Sequence, residues 1–293
     1  MSPKKTPAGL LCLMTALLVV GVSGQQSPTP ATVLPRDPSE LVRTVVRNEL
    51  SAEANDHTHW RYRNHKESDG LAQDRDVIET RDGSLARTLL INGRPLTPDE
   101  RNKDEQRMKQ LVNDPNERAK REHRAKQDDE KAQELLKAIP DAFIFRYDGT
   151  DGPLTRLAFT PKPEYSPPTR ELSVYHAMAG KLWVDVSSLR LAMIQGRLIE
   201  EVKFGWGLLG HLDKGGTFTV IRQNVGDNHW DTVSLDVNMQ GRAVIFKSLN
   251  VKERETLTDF RRMPDDLTIA HAFELLQQGT ASADPSSQTT AAK

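Results

Sequence analysis

Residues 180–262 read GKLWVDVSSLRLAMIQGRLIEEVKFGWGLLGHLDKGGTFTVIRQNVGDNHWDTVSLDVNMQGRAVIFKSLNVKERETLTDFRR. Apolar and polar residues alternate here over short runs, and each run ends at Gly, Asp, Asn or Ser. Period-two alternation turns one face of a strand to a core and the other to solvent, so the stretch predicts an antiparallel meander of about five strands. Its breaks fall near Ser187-Ser188, Gly196, Gly210–Gly216, Gly226-Asp227-Asn228 and Gln240-Gly241. Trp183, Trp206 and Trp230, three of the chain's four tryptophans, lie within it.

Upstream, helix and strand signals alternate. Asp37-Pro38-Ser39-Glu40 carries an N-cap, a proline suited to the first turn and a glutamate at the capping-box position. Leu41, Val42, Val45, Val46 and Leu50 follow at helical spacing and make one apolar stripe. Residues 59–67 (HWRYRNHKE) predict a strand with Trp60 and Tyr62 on one face. Residues 74–91 predict two strands joined at Arg81-Asp82-Gly83-Ser84, and Asn92-Gly93-Arg94-Pro95 closes the group.

Residues 97–139 carry the polar surplus. Thr97-Pro98-Asp99-Glu100 opens a helix to about Val112, and Asp114-Pro115-Asn116-Glu117 opens a longer one that Pro140 is expected to end. Most of the second helix has only alanines as apolar residues; a stripe forms at Ala132, Leu135, Leu136 and Ile139. This predicts a charged helical hairpin that projects into solvent and docks by its C-terminal end. Interleaved charges read either as a solvated, salt-bridged surface or as a docking arm for a partner. Residues 142–147 (AFIFRY) and 154–160 predict further strands around a turn at 148–152, while 172–180 fits helix and strand equally. Thr268–Gln278 predicts an amphipathic helix stopped by Gly279, with a small-residue tail, 279–293, predicted to be disordered.

The chain has 293 residues, of which 28% are charged and 5% aromatic. Its mean hydropathy is −0.59, polar for a globular chain, as expected if the hairpin holds much of the charge. A net charge of −1 gives no footprint for nucleic acid or an anionic membrane. Lys4 and Lys5, the apolar run Ala8–Val20 and the small residues Val22-Ser23-Gly24 make residues 1–24 a secretory signal with cleavage before Gln25. The run falls short of the ~20 residues that span a bilayer. Cys12, the only cysteine, sits inside it, too early for a lipidation site. The mature chain would then have no cysteine and 38 basic against 41 acidic residues. A Pro- and Thr-rich leader, 25–36, precedes one domain, 37–278, and a periplasmic or secreted location follows.

At Gly180-Lys181-Leu182-Trp183-Val184-Asp185 the chain resembles the opening strand of the periplasmic lipoprotein-carrier superfamily, the LolA/LolB-like proteins, with RseB-like proteins as relatives in fold. Leu157-Ala158-Phe159-Thr160-Pro161-Lys162-Pro163 resembles the strand end that precedes it in that family. The resemblance spans roughly residues 38–262 apart from the hairpin, which is an insertion relative to a small carrier. It implies a mainly β (α+β) fold: a strongly curved antiparallel sheet, an unclosed half-barrel around helices. In the carriers the concave face holds lipoprotein acyl chains during outer-membrane lipoprotein sorting.

A lipid site needs an apolar concavity with few polar groups at one end. Val202, Phe204 and Trp206 share one strand face, as do Phe218 and Val220, and Val244 and Phe246; with Trp183 they are the candidate cavity lining. Alternation alone does not separate lining from ordinary sheet core. His57 and His59 share one strand face with His65 nearby, but a metal site needs a third ligand and a cavity, and they read as exposed polar residues. His229 and Asp231 flank Trp230, and alternation puts both on the face opposite it, with no serine in a local motif. Nucleophile-elbow, phosphate-loop and zinc-protease motifs are absent. The expectation is an exported, non-enzymatic protein without cofactor or metal. It would bind a lipid or lipoprotein acyl chain, or else dock an envelope protein through the hairpin.

Overall fold

The computed structural model describes residues 34–169, 171–204, 210–243 and 251–281. The signal and Cys12, the leader up to Val33, and the tail from Ser282 lie outside these residues. Helix α1 (Pro38–Asn55) begins where extended Asp37 accepts the Ser39 N–H at 2.8 Å, with Pro38 in the first turn. Strands β1 (His59–Ser68), β2 (Leu71–Thr80), β3 (Gly83–Ile91) and β4 (Arg94–Pro95) follow. Helix α2 (Pro98–Asn113) has a complete capping box between Thr97 and Glu100, and α3 (Pro115–Ala142) is capped by Asp114 through the Asn116 and Glu117 N–H groups. Then come β5 (Phe143–Asp151), β6 (Leu154–Pro161) and a 3-10 helix (Glu171–Ala177). The long meander contains β7 (Met178–Asp185), β8 (Arg190–Leu198), β9 (Val202–Phe204), β10 (Gly210–Leu212), β11 (Thr217–Gly226), β12 (His229–Met239), β13 (Gly241–Ala243) and β14 (Val251–Met263). Helix α4 (Ile269–Ala281) closes the order.

The fold is mainly β, with 46% of the described residues in strands against 34% in helices. Eleven strands form one sheet in the order β4-β3-β2-β1-β14-β12-β11-β8-β7-β6-β5, and β13, β10 and β9 form a small second one. Every strand pairing described in them is antiparallel. The strongly curved half-barrel is corrected: no sheet is strongly curled or closed. Register supplies the physical reason. Leu182, Ile194, Val220, Leu235, Glu255, Lys66 and Gln73 pair successively across seven strands and therefore share one face. Strict alternation from Gln73 then turns Ile78, with its partner Leu85, to the reverse face.

The core divides accordingly. Leu41, Val42, Val45 and Val46 of α1, with the last turns of α3, pack on strands β5–β8 around Phe143, Phe159, Leu157 and Leu182. Ile78 and Leu85 instead pack with Leu267, Ile269, Ala272 and Leu276 at α4 and with Met108 and Leu111 of α2. Helices cover opposite faces at opposite ends, so the sheet has no single body to wrap.

Several local expectations change. The hairpin docks at both ends, because Met108 and Leu111 of α2 are 1% and 2% exposed. Helix α2 also closes the edge of the sheet: Asp104 accepts the Thr88 N–H at 3.0 Å and its hydroxyl at 2.9 Å, and Arg107 donates to the Ala86 carbonyl. Only the middle of α3 is exposed all round. Pro140 lies inside the last turn of α3 rather than ending it. Gly279 lies within α4 rather than stopping it. Gly196 is not a turn but the centre of β8, where a Cβ would sit 2.3 Å from the Phe218 ring. It pairs with Gly180, whose Cβ would meet the Gln195 carbonyl at 2.0 Å, so both positions require glycine.

A freely projecting arm would make Met108 replaceable at no cost. Met108→Ala is instead expected to lower unfolding free energy by about 2–5 kcal/mol in urea denaturation. Lys126→Ala, on the exposed part of α3, is expected to leave the midpoint unchanged.

Candidate functional site

A cavity of 870 Å³ lies between the shared sheet face and helices α1 and α3. Its polarity runs lengthwise. Along β11 the lining residues are Phe218, Val220 and Arg222, and along antiparallel β12 they are Met239, Val237, Leu235, Thr232 and Trp230. Arg222 lies four residue steps beyond Phe218 along the strand, roughly 13 Å. The apolar end is closed by Phe143, Phe159, Tyr175 and Met178, all largely buried, and Leu135, Leu136 and Ile139 of α3 form one wall. The Tyr175 hydroxyl donates to the Leu135 carbonyl at 2.9 Å, which fixes the 3-10 helix to that wall.

At the polar end stands Glu49, 3% exposed, on the apolar stripe of α1. Arg190 donates to both its oxygens at 2.9 Å, the Leu191 N–H adds a bond at 2.8 Å, and Arg222 donates to Oε2. Burial works against ionisation of Glu49, but these donors and the two positive charges outweigh it and hold its pKa below the ordinary 4.5. Arg190 also lies 5.7 Å from the Trp230 ring centroid, over its face. Two buried donors here, Arg222 Nε and Trp230 Nε1, have no hydrogen-bond partner among the described residues.

The rim beyond is built on Asp56, which caps the C-terminus of α1. Asp56 accepts the Thr58 N–H and hydroxyl and binds His229 Nδ1; His229 Nε2 lies 3.7 Å from Asp231. Burial alone would lower the His229 pKa, but the two carboxylates raise it above the ordinary 6.5. Trp60 stacks on His229 with ring centroids 5.0 Å apart, and its backbone N–H donates to Glu79 at 3.1 Å. Burial, reinforced by the nearby Asp231 charge, pushes the Glu79 carboxyl up to about 7 against the Trp60 hydrogen bond.

Of the candidates read from the sequence, Phe218 and Val220 line the cavity. Trp183 does not: it follows Leu182, so alternation turns it to the other face, where its Nε1 donates to Asp151 at 2.6 Å. Val202 is 5% exposed within the core rather than in the lining. The Phe204 side chain, Trp206, Val244 and Phe246 lie outside the described residues. The expected separation of His229 and Asp231 from Trp230 is corrected, since all three border the cavity. Register shifts in the β11–β12 pair, at Ile221/Arg222 and Asn224/Gly226, break the alternation on which it depended. Glu49, Arg190, Arg222, Asp56 and Glu79 went unread. A signal existed for Glu49 alone: it stands three and four residues beyond Val46 and Val45, on an otherwise apolar stripe.

Among the described residues no group of three or more metal-ligating side chains converges, and no helix is long and apolar enough to cross a membrane. Comparisons with protein-family models, curated proteins and solved structures find no match.

Two predictions follow from the polar end. Glu49→Ala leaves two guanidinium groups facing an empty carboxylate position, and a loss of about 3–5 kcal/mol is expected in denaturant unfolding. Glu79 keeps in the native state a proton that the unfolded chain releases near pH 4.5, until pH passes about 7. The native form thus binds more protons in that window, and stability falls as pH rises through it, by up to about 3 kcal/mol. Glu79→Gln is expected to flatten this slope and to exceed the wild type in stability at about pH 8; urea midpoints across the range measure it.

Proposed function

We propose that this chain binds a single-tailed or slender amphiphile, a lipid or a lipoprotein acyl chain, in the cavity between the sheet and α1 and α3. The observation that carries it is the one-way polarity of the lining, from Phe218 and Met239 at one end to Arg222, Glu49 and His229 at the other. A tail seated at the first end gains about 0.8 kcal/mol per buried methylene, and a polar head meets hydrogen-bonding side chains at the second. The 870 Å³ volume falls in the range of pockets that enclose small organic ligands, about 300–1,000 Å³. The basic, apolar and small-residue order at the N-terminus supports an exported protein. No catalytic group is assigned.

Titration with a fluorescent fatty-acid probe is expected to saturate at one site on the wild type. Leu235→Trp, which fills the middle of the cavity, is expected to weaken the probe at least about tenfold while circular dichroism and the unfolding midpoint stay close to wild type. Native mass spectrometry of protein purified without detergent is expected to find a retained lipid. Probe affinity unchanged in a folded Leu235→Trp protein, or no saturable binding to the wild type, overturns the proposal.

A further inference from the structure

A second cleft, of 460 Å³, lies on the same sheet face at its far end, between β2, β3 and α2. Arg75, Lys103, Arg107 and Arg121 border it against two carboxylates, Glu100 and Asp104. Both carboxylates are already engaged. Glu100 is gripped by the Arg94 fork at 2.8 Å on each oxygen and accepts the Thr97 N–H at 2.8 Å. Asp104 takes the Thr88 N–H and hydroxyl and Arg107 at 2.7 Å. The remaining cations are poorly matched. Arg75 meets only the neutral Gln73 amide among the described residues, and Arg121 reaches Glu117 at 3.4 Å in an exposed pair along its own helix. Lys103 has no hydrogen bond or ion pair among the described residues.

Like charges gathered around a concavity repel one another and focus a positive field into it, and both effects are relieved by an anion seated between them. Guanidinium forks match the paired oxygens of a phosphate, and a lysine supplies a point charge. The excess of cationic over acidic side chains is two, the charge that a phosphate monoester approaches near neutral pH. Ile91, Leu96 and Ala86 give the cleft an apolar floor, with more room than a bare phosphate fills.

From this geometry we infer that the cleft binds a phosphate monoester, its phosphate among Arg75, Lys103 and Arg121 and its organic body on the Ile91 and Leu96 floor. The ester is either a free small molecule or the head group of a lipid such as phosphatidic acid. The site is independent of the large cavity and does not require an amphiphile there.

Calorimetric titration of the full chain with glycerol 3-phosphate at low salt is expected to saturate, to be tighter than with inorganic phosphate, and to weaken as sodium chloride is added. Lys103→Gln, at an exposed helix position that leaves the fold intact, is expected to bind at least about tenfold more weakly, as loss of one charge-assisted contact implies. Flotation with phosphatidylcholine vesicles containing phosphatidic acid, compared with phosphatidylcholine alone, separates the two sources. Selective flotation that Lys103→Gln abolishes assigns the lipid head group. Saturable glycerol 3-phosphate binding without flotation assigns the free ester. Neither saturable binding nor selective flotation, or Lys103→Gln behaving as wild type in both, overturns the inference. Fatty-acid probe binding is expected to be unchanged in Lys103→Gln, so this site and the large cavity fail separately.

Discussion

The carboxylate of Glu49 is the joint on which the arrangement depends. It reaches from α1 to β8 through Arg190 and Leu191 and to β11 through Arg222, joining one helix to two strands at a buried point. Taking those charges out of water is unfavourable, and a well-packed apolar cluster in their place would be about as stable. What the ionic version adds is direction. A carboxylate with four bonds accepts one placement of α1, whereas Leu41, Val42, Val45 and Val46 alone would tolerate the helix sliding along the sheet. The same joint ends the apolar part of the cavity, so helix position and cavity polarity share one cause.

Beyond that joint the polar groups form a connected row rather than isolated pairs. Asp56 closes the helix, His229 joins it to β12, and Trp60 lies flat on the imidazole while its backbone holds Glu79. Raised Glu79 and raised His229 pKa values have opposite meanings for charge: Glu79 stays neutral up to about pH 7, and His229 keeps its positive charge to a higher pH than an ordinary imidazole does. The rim therefore carries less negative charge than its count of carboxylates implies.

Local structure was legible wherever one residue's chemistry decides it. Asp37-Pro38, Thr97-Pro98 and Asp114-Pro115 mark helix starts because a side-chain acceptor and a missing N–H act within four residues. The mainly β character was legible from alternation in residues 180–262. What could not be read was which strands meet. β1 pairs with β14, on the far side of the whole chain, and nothing in HWRYRNHKES specifies that partner. The side of the sheet that each helix covers was hidden for the same reason, and with it the curvature. In the site, Phe218 and Val220 were legible as alternating apolar residues, whereas Trp183 failed because one step along a strand reverses the face. His229, Trp230 and Asp231 failed because a bulge defeats the count. Arg190 and Arg222 acquire meaning only once α1 brings Glu49 between them.

The treatment of the sheet's two ends has a consequence for assembly. At β3 the outward N–H of Thr88 and carbonyl of Ala86 are already taken by Asp104 and Arg107, so that border offers no free backbone ladder there. At the other end β5 is the last strand in the order, with Ile144 and Tyr147 exposed. A fibre built by strand addition needs two receptive borders on every unit, one to give and one to receive. At the β5 border of the eleven-stranded sheet, two molecules meeting β5 to β5 around a two-fold axis use up that border, so strand addition there closes at the pair.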